Sequence, residues 1–202
     1  MKIKVCGLTT GQEVEYLKKN HVDFAGMVLF YPKSKRNITI SQAKQIISVL
    51  DGHIKSVAVV VSPTIEQAKE IQDAGFDYIQ IHGELPAGFF HAVKLPVLKA
   101  FNIKDMVHYQ EYHENPAIVG YVFDAQEPGS GKTFDWSLVQ HIPRDEKLLL
   151  LAGGLNSENV ADAIRYVKPD GVDVSSGVEY TNKLGKDPEK IDLFVEKVRG
   201  QQ

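Results

Sequence analysis

The sequence predicts an α/β protein folded as a single-domain (β/α)8 barrel over residues 1–202. Three observations point there. Short β-rich runs alternate with amphipathic helical segments along the whole chain. Eight such pairs divide the 202 residues into units of about 25, with no linker between them. Near the C-terminus, two successive strands run out into small-residue loops, Gly153-Gly154 and Ser175-Ser176-Gly177. An open doubly wound sheet uses similar strands and is the competing arrangement.

The strands are expected at Lys2 to Cys6, Phe24 to Phe30, Ile54 to Val61 and Tyr78 to His82. Val97 to Phe101, Ile118 to Asp124, Leu148 to Leu151 and Gly171 to Val174 complete the set. Helices fit between them. Thr10 and Glu13 have capping-box spacing ahead of Val14 and Leu17. Ala43, Ile46, Ile47 and Leu50 form one helical stripe, and Ile191, Phe194, Val195 and Val198 another. Ser62-Pro63 reads as an N-cap followed by proline at the first helical position. Asn156 is placed to cap a helix carrying Val160, Ala163, Ile164 and Val167. Pro86 to Val93, Ile103 to Tyr112 and Phe134 to Gln140 read as further helices.

Bulk composition excludes several function classes. A net charge of −3 gives no general attraction to nucleic acid or to an anionic membrane. A phosphorylated small molecule would have to be held by local groups. The single cysteine rules out an internal disulfide and suits a reducing compartment, so the expected location is cytoplasmic. The histidines show no metal-ligand spacing, and no metal is expected. No apolar run is long enough to span a bilayer, and the start of the chain does not read as a signal peptide. Monomer and homodimer both remain open.

In a barrel of this kind, chemistry sits at the C-terminal ends of the strands. Period-2 alternation turns Ile3 and Val5 towards the helices, which directs Lys4 and Cys6 inward. A lone buried thiol usually packs. At a strand end beside Gly7, two residues from a lysine able to favour the thiolate, it is a candidate for reactivity. Arg36, in a basic loop after the second strand, can hold a planar carboxylate with its guanidinium. The same alternation puts Gln80 and His82 inside. Asp124 closes an apolar strand, which is costly unless the acid is exposed or used. Asp173 faces away from Val172 and Val174 and so also points inward. Gly129 to Thr133 resembles half of a P-loop but has Gln126 where the first glycine belongs, and reads instead as a mobile lid. Gly153-Gly154 taken alone is also an ordinary strand-to-helix turn. Paired with Ser175, Ser176 and Gly177 one strand later, it reads as a phosphate cradle of free backbone N–H groups.

Together these pieces resemble the phosphoribosylanthranilate isomerase family. The likeness rests on Lys4-Val5-Cys6-Gly7-Leu8-Thr9, Gln80-Ile81-His82-Gly83, Gly131-Lys132-Thr133-Phe134-Asp135-Trp136 and Ala152-Gly153-Gly154-Leu155-Asn156. Val172 to Glu179 and Gly185-Lys186-Asp187 complete it. The family usually has Ser-Pro-Arg in the second loop, where this chain has Ser34-Lys35-Arg36.

The resemblance implies a TIM-barrel enzyme of tryptophan biosynthesis. Its reaction would be a cofactor-free Amadori rearrangement of a phosphorylated aminoaldose to an aminoketose. It implies Cys6 as general base, Asp124 as general acid and Arg36 on the anthranilate carboxylate. His82 and Asp173 would orient the substrate, while Gly153, Gly154, Ser175, Ser176 and Gly177 hold its phosphate. Two rival readings stand beside it. One is the analogous isomerase of histidine biosynthesis, whose larger substrate wants two phosphate sites. The other is a non-catalytic barrel that binds a phosphorylated ligand.

Overall fold

A computed structural model describes residues 1–102, 109–125, 133–140, 142 and 144–201. The strands are β1 (Lys2–Cys6), β2 (Phe24–Leu29), β3 (Asn37–Ile38), β4 (Lys55–Val61) and β5 (Tyr78–His82). They continue with β6 (Val97–Asn102), β7 (Ile118–Asp124), β8 (Leu148–Leu151) and β9 (Gly171–Val174). All pair in parallel, and β1 pairs with both β9 and β2, so the sheet closes on itself. Eight of the described strands make the barrel, and β3 is a two-residue addition on the edge of β2. The expected strands are all present. β3 was not foreseen, being too short to carry any periodicity.

The helices are α1 (Glu13–Lys19), α2 (Ile40–Val49), α3 (Ile65–Asp73) and α4 (Phe89–Ala92). The others are α5 (Tyr109–His113), α6 (Ser137–Gln140), α7 (Val160–Val167) and α8 (Pro188–Arg199). Three of the expected N-termini need correction. Helix α3 is capped by Thr64, whose box partner is Gln67. Ser62 instead adopts positive φ, and its hydroxyl accepts the Glu84 N–H. In α1 only half the box exists: Glu13 accepts the Thr10 N–H at 2.9 Å, and no side chain caps the helix. Asn159, not Asn156, sits at the cap position of α7; the Asn156 carboxamide accepts from Glu158 N and Asn159 N in the preceding turn. The expected lid, Gly129 to Thr133, lies outside the described residues except for Thr133, as do residues 103–108 of one expected helix. Among the described residues no helix is long and apolar enough to cross a membrane.

Strand alternation separates two apolar layers. Ile3, Val5, Ile79, Ile81, Val97, Phe101, Val172 and Val174 face outward and join the helix stripes in one core. Inside the barrel, Phe24, Val57, Val59, Leu98, Ala100, Val122 and Leu150 form a second, smaller cluster with Cys6 and Ala152 at its upper edge. Each fully buried aliphatic side chain contributes about 1.5–3 kcal/mol, so most of the stabilising burial lies in the outer layer. The inner cluster is an apolar floor. Above it, register aligns Lys4 with Asp173, Cys6 with Gly26 and Asn102 with Asp124.

Candidate active site

The C-terminal ends of the barrel strands surround a cavity of about 620 Å³. Cys6, Arg36, His82, Asp124, Asp173, Gly153, Gly154, Ser175 and Ser176 all line it. Gly177 is nearby but does not. A Cβ there would fall 2.1 Å from the Leu155 carbonyl oxygen, so its glycine lets the loops after β8 and β9 pack backbone against backbone.

On the β1–β9 side, Lys4 Nζ donates to Asp173 Oδ2 at 2.8 Å, with both side chains buried. Burial works against the Lys4 charge, but Asp173 and Cys6 outweigh it and hold the ammonium above its ordinary pKa. A Cβ on Gly26 would meet Cys6 Sγ at 3.0 Å and Lys4 Nζ at 3.1 Å. The thiol and the ammonium thus press on the same bare stretch of β2. Lys4 does favour the thiolate, as its position two residues away implies, but it does not decide the outcome. Burial pushes the Cys6 thiol up, Lys4 and Lys186 pull it down, Asp173 pushes it up again, and the net shift is upward. Lys4 shares its charge with Asp173 and cannot give all of it to sulfur.

Asp124 ends β7 half-buried, and its Oδ1 accepts the Ala125 N–H at 2.7 Å. Burial and the charge of Asp173 raise its carboxyl to about 6 against the opposing pull of Lys4 and Arg36. Gly153, with φ +83°, allows the β8 loop to approach, since a Cβ there would sit 2.7 Å from Ala125 N. Burial, Lys99 and Lys4 hold His82 down to about 3, so its imidazole is neutral. Its Nε2 lies 2.9 Å from Gln80 Nε2, which assigns the donor role to the amide and the ring proton to Nδ1.

Three cations converge on one carboxylate at the rim. Arg36 grips Glu179 through Nε on Oε1 and through Nη2 on Oε2, the latter at 3.1 Å. Lys186 Nζ reaches Oε1 at 3.1 Å and Lys35 Nζ reaches Oε2 at 2.9 Å. Burial pushes the Glu179 carboxyl up, but these partners outweigh it and hold it at about 2. One negative charge among three positive ones leaves the rim cationic. A guanidinium carries five donors and this pair uses two, so the other edge of Arg36 is open to a second carboxylate. The loop bearing Arg36 is braced without a proline at position 35: Tyr31 N donates to Asn37 Oδ1 at 2.7 Å and Arg36 N to Ser34 Oγ at 3.2 Å.

The cradle loops are tied to the same groups. Gly154 takes φ +63°. Ser175 Oγ donates to the Cys6 carbonyl at 2.9 Å, and Lys186 Nζ donates to the Ser175 carbonyl at 3.2 Å. Glu13 accepts the Lys186 N–H at 2.7 Å, which anchors this lysine from the opposite end of the chain.

Sequence reasoning assigned no role to Asn102, Glu179 or Lys186. Asn102 follows from the alternation of Leu98 and Ala100, had the strand been extended by one residue. Nothing local in the sequence marks Glu179 as the partner of three cations, because the nearest of them is seven residues away and the others more than 140.

A family model described as N-(5'-phosphoribosyl)anthranilate (PRA) isomerase matches residues 3–197. The chain is 39% identical to the N-(5'-phosphoribosyl)anthranilate isomerase of Geotalea daltonii, over 98% of this chain and 96% of that one. The crystal structure of phosphoribosyl anthranilate isomerase from Thermotoga maritima superposes with a TM-score of 0.85 at 34% identity, over 99% of both chains. A structure of such an isomerase in complex with reduced 1-(o-carboxyphenylamino)-1-deoxyribulose 5-phosphate gives a TM-score of 0.81 at 33% identity, again over 99% of both.

Proposed function

The chain belongs to the N-(5'-phosphoribosyl)anthranilate isomerase family, and on that premise we propose that Cys6 and Asp124 are the base and acid of its reaction. The activity is the isomerisation of phosphoribosylanthranilate to 1-(2-carboxyphenylamino)-1-deoxyribulose 5-phosphate in tryptophan biosynthesis. The observation that supports the residue roles is the shared cavity. A thiol and a carboxyl flank it from strands β1 and β7 under a cationic rim.

The protonated Asp124 gives its proton to the ribose ring oxygen. The C1′–O4′ bond breaks and the anilino nitrogen closes an iminium to C1′. The Cys6 thiolate then takes the C2′ proton. The C–H electrons form C1′=C2′ as the iminium pair returns to nitrogen, and the enolamine tautomerises to the ketone. In that last step C1′ takes a proton and the C2′ hydroxyl gives one up, so returning the Cys6 proton to C1′ and the hydroxyl proton to Asp124 restores both side chains. Burial keeps Asp124 partly protonated near neutral pH, where an ordinary aspartate would hold almost no proton. The cationic iminium, once formed, favours the thiolate beside it.

Arg36 takes the anthranilate carboxylate on its open edge. Gly153, Gly154, Ser175 and Ser176 receive the phosphate, with Gly177 holding the two loops together. Residues 1–202 act as one domain in the cytoplasm.

Loss of substrate fluorescence tests the assignment. Cys6→Ser and Asp124→Asn are each expected to lower kcat about 10²–10⁴-fold, the span of general acid–base effects, while affinity for the reduced product analogue stays within about threefold. Turnover near the wild-type rate in either variant removes that residue from the chemistry.

A further inference from the structure

Three buried side-chain oxygens without a hydrogen-bond partner among the described residues belong to residues lining the cavity: Gln80 Oε1, Asn102 Oδ1 and Asp173 Oδ1. They sit on three different strands, β5, β6 and β9. Two are fixed by the bond that satisfies the other half of the same group. Gln80 gives its amide N–H to His82, and Asp173 takes Lys4 on Oδ2. Asn102 stands in register with Asp124. All three oxygens are acceptors, and a buried acceptor costs free energy until a donor reaches it.

We propose that Gln80 and Asn102, together with Asp173, form an acceptor wall that reads the hydroxyl groups of the sugar chain. This rests on the isomerase reading above and adds two specificity-determining residues to it. The chemistry matches in kind and in number. The phosphoribosyl ring offers two hydroxyl donors, and opening it adds a third at C4′. An acceptor that gains its donor only when the ring opens favours the opened form over the bound substrate. Neighbouring strands lie about 4.8 Å apart, which places Asn102 next to the Asp124 that delivers the C4′ proton.

The test compares two ligands by titration calorimetry: the reduced product analogue with its chain hydroxyls, and the same molecule with those hydroxyls replaced by hydrogen. Wild-type protein is expected to bind the hydroxylated form about tenfold or more tightly. The near-isosteric variants Gln80→Met and Asn102→Leu should each shrink that preference by about threefold to tenfold, by weakening the hydroxylated ligand alone. Equal weakening of both ligands, or an unchanged ratio in both variants, overturns the proposal. So does wild-type protein that binds the two equally well, an outcome that leaves the isomerase reading intact. Wild-type protein that binds neither ligand defeats both.

Discussion

On the β1–β9 side of the cavity, the buried charges are held by counter-charges in contact: Lys4 with Asp173, and Arg36 and Lys186 with Glu179. On the β6–β7 side, Asp124 meets no cation among the described residues and is held by one backbone N–H. The consequences run in opposite directions. Glu179, ringed by cations, drops to about 2, whereas Asp124, buried with little help, rises to about 6. Counter-charge sets the Glu179 carboxyl and desolvation sets the Asp124 carboxyl. A site that needs a proton donor near neutral pH can obtain it by withholding partners from a carboxyl.

The contrast can be broken most forcefully at Lys4. Lys4→Met leaves Asp173 buried without its cation and should cost about 3–5 kcal/mol of stability in denaturant titrations. The double variant Lys4→Met/Asp173→Leu should regain most of that loss. A Lys4→Met protein as stable as the parent would mean that the pair is not the counter-charge described.

The pH profile sharpens the comparison next. Activity needs Asp124 protonated and Cys6 ionised, yet the acid titrates at about 6 and the thiol above its ordinary value. Below pH about 6, Asp124 keeps its proton while thiolate grows, so kcat/KM should rise about tenfold per pH unit. Above that point, each gain in thiolate is offset by loss of the Asp124 proton, and the profile goes flat. It falls only beyond the thiol pKa. A narrow bell, or alkylation of Cys6 by iodoacetamide that titrates below the ordinary thiol value of about 8.5, would contradict the upward shift.

Smaller effects belong to the rim. Arg36→Met should raise KM about 10–100-fold, the worth of a charged hydrogen-bonded contact, and change kcat less. An unchanged KM removes Arg36 from the substrate. The Lys35 ammonium is solvent-exposed in its pair with Glu179, and its loss in Lys35→Ala should move KM by no more than about threefold. A larger shift would make Lys35 a direct ligand.

Much of this arrangement was legible because the β period is short and regular. Alternation alone turned Lys4, Cys6, Gln80, His82 and Asp173 inward. What it could not supply was the balance among groups brought together from distant segments. Lys4 beside Cys6 does favour the thiolate, but burial of the thiol outweighs it, and Asp173, 169 residues away, shares the ammonium. The Ser62-Pro63 and Asn156 caps failed for a local reason. Several polar residues near a helix start compete for the same N–H groups, and spacing does not decide which one wins. Gly177 carries a signature shared by phosphate loops and tight packing, and only the Leu155 carbonyl at 2.1 Å from its absent Cβ reveals the second role.

A crystal structure of this chain with the reduced product analogue bound tests the central pairing most directly. Cys6 Sγ should lie within about 4 Å of C2′ and an Asp124 oxygen within about 3.2 Å of the C4′ hydroxyl, with the phosphate against Gly154 and Ser176. A bound analogue that leaves either the thiol or the carboxyl out of reach of those atoms would contradict it.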